Sequence, residues 1–123
     1  MEVKMSYRFE KLIVWQKAMD FCIKVYDKTR EFPKEELYGV TSQMRRAALS
    51  IILNYIEGFA RQKKAVKQNF WEISYGSLKE TKYLLHFSFI EEYLNKEQYE
   101  RAINLAEEIG AMLWRAKQSL RGT

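Results

Sequence analysis

Apolar residues recur at intervals of three and four along most of the chain, and this spacing predicts long amphipathic helices. Breaks in the pattern separate four such segments. We expect helices at about residues 12–29, 41–61, 66–93 and 96–120. Because the connections between them are short, consecutive helices should run antiparallel. The pattern therefore predicts an all-α protein, built as an antiparallel up-and-down four-helix bundle.

The first and fourth helices each show one apolar stripe. The stripe expected on the first helix consists of Leu12, Trp15, Met19, Cys22, Tyr26 and Thr29. The stripe expected on the fourth helix consists of Tyr99, Ala102, Ile103, Ala106, Ile109, Gly110, Leu113 and Leu120. Stripes of this kind are typical of helices that pack one face on a core and keep the other in water.

The second helix is apolar around most of its circumference between Ala47 and Ile56. A helix of an isolated bundle keeps one polar face, so this segment predicts a contact between subunits and hence a homo-oligomer. A row of polar residues crosses the apolar surface, formed by Arg46, Ser50, Asn54 and Glu57, with Arg61 one turn further. Since buried polar groups need hydrogen-bond partners, we interpret the row as a seam that fixes helix register or the oligomer interface. A ligand site here is the less favoured alternative.

Local signals mark the ends of the helices. Thr41 or Ser42 is expected to cap the start of the second helix. Asn95 followed by Gln98 matches a capping box at the start of the fourth. Gly76 lies in the middle of the third helix, where glycine is costly by helix propensity. We expect a neighbouring backbone to approach closely there.

The composition favours one compact helical domain spanning residues 1–123. Hydrophobic residues make up 47% of the chain, whereas five glycines and one proline are too few for the turns of a β-sandwich or barrel. No secretory signal is visible, and no uncharged apolar run reaches the ~20 residues of a membrane span. The single cysteine, Cys22, cannot form an internal disulfide. These features predict a cytoplasmic protein without a membrane partner.

Residues suited to catalysis are scarce. His86 is the only histidine, and Thr81 stands where the Arg-x4-His motif of helical ribonucleases would need its arginine. We expect His86 to be a partly buried structural residue, because a functional histidine needs partners. Cys22 is expected to be a small buried hydrophobe on the first helix. The sequence predicts no enzyme, no cofactor and no metal site.

The net charge of +5 is not concentrated on any one helix. In an up-and-down bundle, however, the N-terminus, the connection between the second and third helices, and the C-terminus meet at one end. This basic end carries the candidate nucleic-acid-binding residues Lys4, Arg8, Lys11, Arg61, Lys63, Lys64, Lys67, Arg115, Lys117 and Arg121. Only Glu2 and Glu10 oppose them. Such a surface binds phosphates without reading sequence; alternatively, the lysines are only solvated.

The opposite end, here called the acidic end, has more carboxylates than basic groups. It carries Arg30, Lys34, Lys96 and Arg101 against Glu31, Glu35, Glu36, Glu91, Glu92, Glu97 and Glu100. The sequence therefore predicts a molecule that is electrically polar along its long axis.

Several short motifs resemble the 23S rRNA intervening-sequence protein family over about residues 9–115. The most specific is Thr-Ser-Gln-x-Arg-Arg-Ala-Ala at 41–48. The others are Phe-x-x-Leu-x-Val-Trp-Gln-x-Ala at 9–18, Phe-Pro-x-x-Glu-x-Tyr-Gly at 32–39, Asn-x-x-Glu-Gly-x-x-Arg at 54–61 and Gly-Ser-Leu-x-Glu at 76–80. The resemblance implies a four-helix bundle that assembles into a five-fold ring. The chain is similar also to the accessory variability proteins of diversity-generating retroelements, basic pentamers that contact nucleic acid and a reverse transcriptase.

These observations lead to two main functional hypotheses. The first is a non-enzymatic RNA-binding protein, associated with rRNA, or a DNA-binding protein that uses the basic end. The second is a protein-interaction scaffold or adaptor, for example for a reverse transcriptase. A bundle that binds a small molecule is a minor third reading.

Overall fold

The computed structural model describes residues 9–121, with side chains from residue 13 to residue 120, and shows four long helices. They are α1 (Phe9–Thr29), α2 (Val40–Ala60), α3 (Lys64–Ile90) and α4 (Lys96–Arg121). One turn of 3-10 helix, Lys34–Glu36, lies between α1 and α2, and no strand occurs within residues 9–121. The predicted all-α class is confirmed. The expected end of the third helix at residue 93 is wrong, because α3 stops at residue 90.

Side-chain contacts between α2 and α3 show that these helices are antiparallel. The hydroxyl oxygens of Ser50 and Ser77 lie 2.7 Å apart. Further along α2, the indole N–H of Trp71 donates to the carbonyl of Tyr55 at 3.1 Å. Residue numbers that rise along α2 therefore fall along α3.

Each of the four helices packs against two neighbours, and contacts between the other pairs show their directions in the same way. Between α3 and α4, Lys82 pairs with Glu107 at 2.7 Å, and the rings of Tyr75 and Trp114 lie 5.9 Å apart. Between α1 and α4, Lys17 pairs with Glu108 at 2.7 Å. Lys28, at the other end of α1, shares a cavity with Gln98 near the start of α4. The bundle is thus up and down.

The core confirms the stripe expected on α4 and only part of the one expected on α1, where Cys22 and Thr29 are buried as predicted and the side chain of Leu12 lies outside the described part. Ala106, Ile109 and Leu113 of α4 are fully buried. On α1 the buried side chains include Ala18 and Phe21, whereas Met19 is 39% exposed. Apolar residues cover two adjacent stripes of α1, so the helix alone does not specify which stripe packs. The contacts with α2 and α4 decide it.

Helices α2 and α3 approach each other closely where Gly58 faces Trp71. A Cβ atom on Gly58 would lie 2.3 Å from the indole nitrogen of Trp71, so that only glycine fits. Nearby, the Ser74 hydroxyl donates to the carbonyl of Ile51 at 2.6 Å. At Gly76, by contrast, an added Cβ would meet nothing within 4 Å. The expectation of a close neighbour at Gly76 is wrong within this chain.

The helix caps follow the sequence at one end and depart from it at another. The capping box is confirmed: Asn95 N–H donates to the Gln98 side chain at 2.9 Å, and Gln98 N–H donates to the Asn95 side chain at 2.8 Å. At the start of α2, however, Gly39 is the N-cap residue. The Val40 N–H donates to the Glu36 carboxylate at 3.3 Å, and Thr41 is buried in the core. The expected Thr41 or Ser42 cap is wrong.

The end of α3 is a Schellman motif built on a residue other than glycine. Tyr93 N–H donates to the Ser88 carbonyl at 2.8 Å, and Glu92 N–H donates to the Phe89 carbonyl at 3.0 Å. Glu92 takes φ 63°, in the left-handed region. This pairing satisfies carbonyls at the helix end, and it turns the chain three residues earlier than the apolar pattern suggested.

Candidate nucleic-acid interface

The antiparallel packing brings the 61–67 connection and the last turns of α4 to the same end of the bundle. The Tyr75–Trp114 contact fixes the register of α3 and α4. Because the two helices run in opposite directions, the start of α3 and the end of α4 both lie beyond this contact, on the same side. The structure thus brings together the described side chains of the basic end: Arg61, Lys63, Lys64, Lys67, Arg115 and Lys117.

Four candidate residues cannot be assigned in this way. Lys4 and Arg8 lie outside the described residues. Lys11 and Arg121 lie within α1 and α4, but their side chains are outside the described part. The backbone of α1 begins, and that of α4 ends, at the basic end.

Arg61 is already engaged by two neighbouring side chains. Its guanidinium lies 2.6 Å from the Glu57 carboxylate, one turn earlier on α2. It also lies over the ring of Phe70, 5.3 Å from the centroid. The ion pair offsets much of the Arg61 charge, so this residue contributes less to the potential of the basic end than the sequence suggested.

Lys67 lies against an aromatic cluster where α2 meets α3. Its ammonium is 5.8 Å from the ring centroids of both Phe59 and Trp71. Those two rings contact each other edge to face at 5.4 Å, and Tyr55 stacks on Trp71 at 5.5 Å. The charge of Lys67 therefore rests on apolar aromatic faces, a favourable cation–π arrangement. Lys63 and Lys64, before it, are exposed.

Lys117 forms a second cation–aromatic group between α3 and α4. Its ammonium lies 4.6 Å from the ring centroid of Tyr75 and 5.2 Å from that of Trp114. Lys79, which the sequence reasoning missed, lies 5.3 Å from the same Tyr75 ring. Tyr75 and Lys79 are four residues apart and Trp114 and Lys117 are three apart, so each pair lies on one face of its helix. These spacings can be read from the sequence. The contact between the two pairs across α3 and α4 cannot.

The polar row on α2 is partly a hydrogen-bonded seam. Asn54 donates to the carbonyl and to the hydroxyl of Ser50, each at 2.9 Å, and Ser50 contacts Ser77 of α3. Arg46 and Glu57 are exposed on the single subunit, whereas Ser50 and Asn54 are partly buried. A role of the row at the oligomer interface stays a prediction. Ser50 and Asn54 thus fix the register of α2 against α3 within one chain.

The outward face of α2 carries an apolar ridge, formed by Leu49, Leu53 and Ile56. Their exposed fractions are 40%, 51% and 43%. Ile52, by contrast, is buried at 5% exposure and belongs to the core. Part of the apolar surface expected on the second helix is therefore a core face, and the rest faces away from the bundle.

The acidic end is held together by a tyrosine–carboxylate hydrogen bond. The Tyr93 hydroxyl donates to Glu36 at 2.8 Å, and the Tyr93 ring lies 5.3 Å from that of Phe32. The hydrogen bond to the charged Glu36 is the main reason that the pKa of Tyr93 rises to about 12. Burial and the charges of Glu91 and Glu35 act in the same direction.

A cavity of about 320 Å³ lies between α1 and α4 toward the acidic end. Phe21, Met44 and Leu85 contribute to its apolar floor, and Lys28 and Arg101 lie at its rim. Arg101 is already paired with Glu97 at 2.5 Å. The cavity is apolar, and no nucleophile with a base lies in it.

The remaining reactive side chains are isolated from one another. His86 is exposed, which corrects the expectation of partial burial, and its ring lies 6.1 Å from that of Tyr99. Cys22 is buried as predicted, and burial raises the pKa of its thiol. Within residues 9–121 no group of three His, Cys, Asp or Glu residues is arranged to hold a metal ion. No helix in that range is long and apolar enough to span a membrane.

The chain is similar to proteins of one family in both sequence and structure. A family model described as "23S rRNA-intervening sequence protein" matches residues 10–115. A crystal structure from Bacteroides thetaiotaomicron, described as a protein with unknown function from the S23 ribosomal protein family, superposes with a TM-score of 0.82. The two chains are 24% identical, and the match covers 89% of this chain and 99% of that one. A comparison with curated proteins finds no match. With a family model that spans nearly all of its four helices, the chain belongs to the 23S rRNA-intervening sequence protein family.

Proposed function

We propose that this protein is a non-enzymatic nucleic-acid-binding protein that holds phosphates with its basic end. The observation that carries the proposal is the register of α3 against α4, set by the Tyr75–Trp114 contact. In that register, basic segments distant in sequence form one surface. The family name supports RNA, associated with rRNA, as the first choice of ligand, and DNA is the second.

The distribution of charge on the side chains supports phosphate binding rather than sequence recognition. Lys63 and Arg115 are exposed, whereas Arg61 is paired with Glu57. Exposed lysine and arginine side chains contact phosphates, and such contacts position a protein without reading bases. We therefore infer that the binding energy is mainly electrostatic.

The test is a titration of labelled single-stranded RNA of about 16 nucleotides at increasing salt, followed by fluorescence anisotropy. Each phosphate contact should contribute about −0.7 to the slope of log affinity against log salt. Lys63→Ala and Arg115→Ala should each reduce the slope by about that amount. Lys34→Ala, an exposed lysine at the acidic end, is the matched control and should leave the slope unchanged. A wild-type protein that retains no RNA or DNA at low salt contradicts the proposal.

The outward face of α2 supports assembly of this protein into a homo-oligomer, with a ring of five as the expected form. The ridge of Leu49, Leu53 and Ile56 exposes apolar surface that one subunit does not cover. On α3, Ile73 is 44% exposed, and Gly76 next to Ser77 leaves open space above the helix. Because Ser77 contacts Ser50, this part of α3 lies beside the ridge. A second copy that packs closely against α2 and α3 explains both features.

A protein scaffold or adaptor, for example for a reverse transcriptase, is the second candidate. It is favoured by a stripe on the outer face of α3 toward the acidic end, where Tyr83, Phe87 and Ile90 are 70%, 39% and 61% exposed. These residues lie at helical spacing, as in a helix that docks on a partner. A pull-down that yields one protein after nuclease treatment, and loses it with Tyr83→Ser, would favour this function over RNA binding.

A further inference from the structure

A shallow groove runs between α3 and α4 beside the basic end. Tyr75 and Trp114 form one wall, Gly110 and Ala111 lie in the floor, and the volume is about 230 Å³. A Cβ atom on Gly110 would lie 3.0 Å from the Leu78 side chain, so glycine lets α3 and α4 pack tightly at this point. Because Gly110 has no side chain, it also leaves space in the groove. This volume is below the ~300 Å³ of typical pockets for drug-sized ligands, so the groove suits a single planar ring system.

The aromatic wall of the groove is exposed. Trp114 is 46% exposed, so much of its indole faces outward from the subunit. It meets Tyr75 at an interplanar angle of 49°, so the two rings do not stack on each other. The ammonium of Lys117 lies over the indole, 5.2 Å from its centroid, so a base can stack only on the part of the ring that Tyr75 and Lys117 leave exposed.

Cations surround this wall. The ammonium groups of Lys117 and Lys79 lie 4.6 Å and 5.3 Å from the Tyr75 ring centroid. Lys79 lines the groove, and Lys117 contacts the rings of its aromatic wall. Lys82 is different, because it pairs with Glu107 at 2.7 Å and holds the pKa of that carboxyl below its usual value. The charge of Lys82 is thus offset. Lys79 also acts on the Glu107 carboxyl through space, whereas Lys117 lies against the rings of Tyr75 and Trp114.

We propose that the groove receives one unpaired base of single-stranded RNA, stacked on Trp114, while Lys117 and Lys79 bind the flanking phosphates. The inference rests on the proposed nucleic-acid function and narrows it to a class of ligand. In a duplex, each base face is already covered by its neighbours, whereas an unpaired base offers a face to an aromatic side chain. Stacking on a protein ring is tolerant of sequence, since every base has a π-face.

The experiment compares an unstructured RNA of about 12 nucleotides with a perfectly paired RNA duplex of the same length, each labelled and titrated at several salt concentrations. Trp114→Ala should weaken binding of the single strand by about 5- to 150-fold, the range for loss of one stacked base. The slope of log affinity against log salt and the affinity for the duplex should be the same for Trp114→Ala as for the wild type. Lys117→Ala should instead reduce the salt slope by about 0.7. Trp114→Phe, which keeps an aromatic face, should retain most of the affinity.

Tyr38→Ala is the matched control, because Tyr38 is an exposed aromatic residue outside both the groove and the stripe on α3. It should leave binding of the single strand unchanged. If wild-type protein binds both RNAs with a salt dependence and Trp114→Ala changes neither, the stacking inference is overturned and the phosphate-binding proposal stands. If wild-type protein binds neither RNA, both fail. Equal loss with single-stranded DNA supports stacking without discrimination of the sugar.

Discussion

At the scale of single residues, two glycines of the α2–α3 pair have opposite surroundings. Gly58 faces the indole of Trp71, which is 3% exposed and donates its N–H to Tyr55. Gly76 has open space where a side chain would point. The sequence alone does not show which of these two glycines is tightly packed, because this depends on the residue of the neighbouring helix that lies opposite each one.

Gly58→Ala should lower the free energy of unfolding by about 1–3 kcal/mol, because the added methyl group forces the buried indole away. Gly76→Ala is the matched control, and both changes are made in a Leu53→Glu background so that contacts between subunits do not contribute. There Gly76→Ala should not lower the free energy of unfolding, since alanine is about 1 kcal/mol better than glycine in a helix interior. Urea denaturation followed by circular dichroism measures both. Equal losses in the two variants would contradict the packing at Gly58.

At the scale of helices, the existence and order of the four elements followed from local signals, whereas the packed faces did not. The capping box of Asn95 and Gln98 needs only residues three apart, and it was predicted correctly. The start of α2 was wrong because its cap oxygen comes from Glu36, four residues before the first helical residue. Met19 was assigned to the core for a similar reason: the stripe of α1 that turns inward is selected by its neighbours.

The end of α3 offers a way to stabilise the protein. Glu92→Gly should raise the free energy of unfolding by about 1 kcal/mol, because the left-handed conformation costs an ordinary residue roughly that much and glycine little. Glu91→Gly, at the preceding position with φ −80°, is the control and should give no gain. Thermal melts of the three proteins compare the two changes. A gain at Glu91 and none at Glu92 would be inconsistent with the Schellman motif.

The hydrogen bond from Tyr93, in the α3–α4 connection, to Glu36, in the 3-10 turn, should make the free energy of unfolding vary with pH in the alkaline range. Mainly through its hydrogen bond to Glu36, the pKa of Tyr93 rises from its ordinary value of 10.0 to about 12 in the folded protein, so the folded state holds the proton more tightly. Its stabilising contribution is complete below about pH 10 and is lost as pH rises toward 12. The difference in unfolding free energy between wild type and Tyr93→Phe should shrink across this window. Glu36→Gln should remove most of the pH dependence; a constant difference would refute the assignment.

At the scale of the whole molecule, the sequence predicts that the basic segments lie at one end of the bundle. It does not predict which side chains the individual basic residues contact. An up-and-down path and short connections suffice to bring the 61–67 connection and the C-terminal residues together. The engagement of Arg61 by Glu57 and of Lys117 by Tyr75 depends on rotamers and on the register between helices. The groove beside Trp114 was missed for the same reason.

Assembly through the apolar ridge of Leu49, Leu53 and Ile56 on α2 can be tested by measuring the molecular mass in solution. Light scattering should give the wild type a mass well above the 14.8 kDa of one chain. Leu53→Glu or Ile56→Glu should bring it toward that value, because a buried carboxylate at an apolar interface is strongly unfavourable. Ile52→Glu is unsuitable because Ile52 lies in the core. Ile23→Glu, at a 54% exposed position of α1, is the control. A monomeric wild type would end the proposal.

The length of α3 has a consequence for how the two ends behave in solution. Its 27 residues separate the basic end from the acidic end by about 40 Å. At physiological ionic strength the field of an exposed charge decays over about 8 Å. We therefore expect carboxylates at the far end to exert almost no repulsion on a polyanion bound, as proposed, at the basic end. We expect them to act instead during the approach of the ligand, by orienting the molecule so that its basic end faces the polyanion.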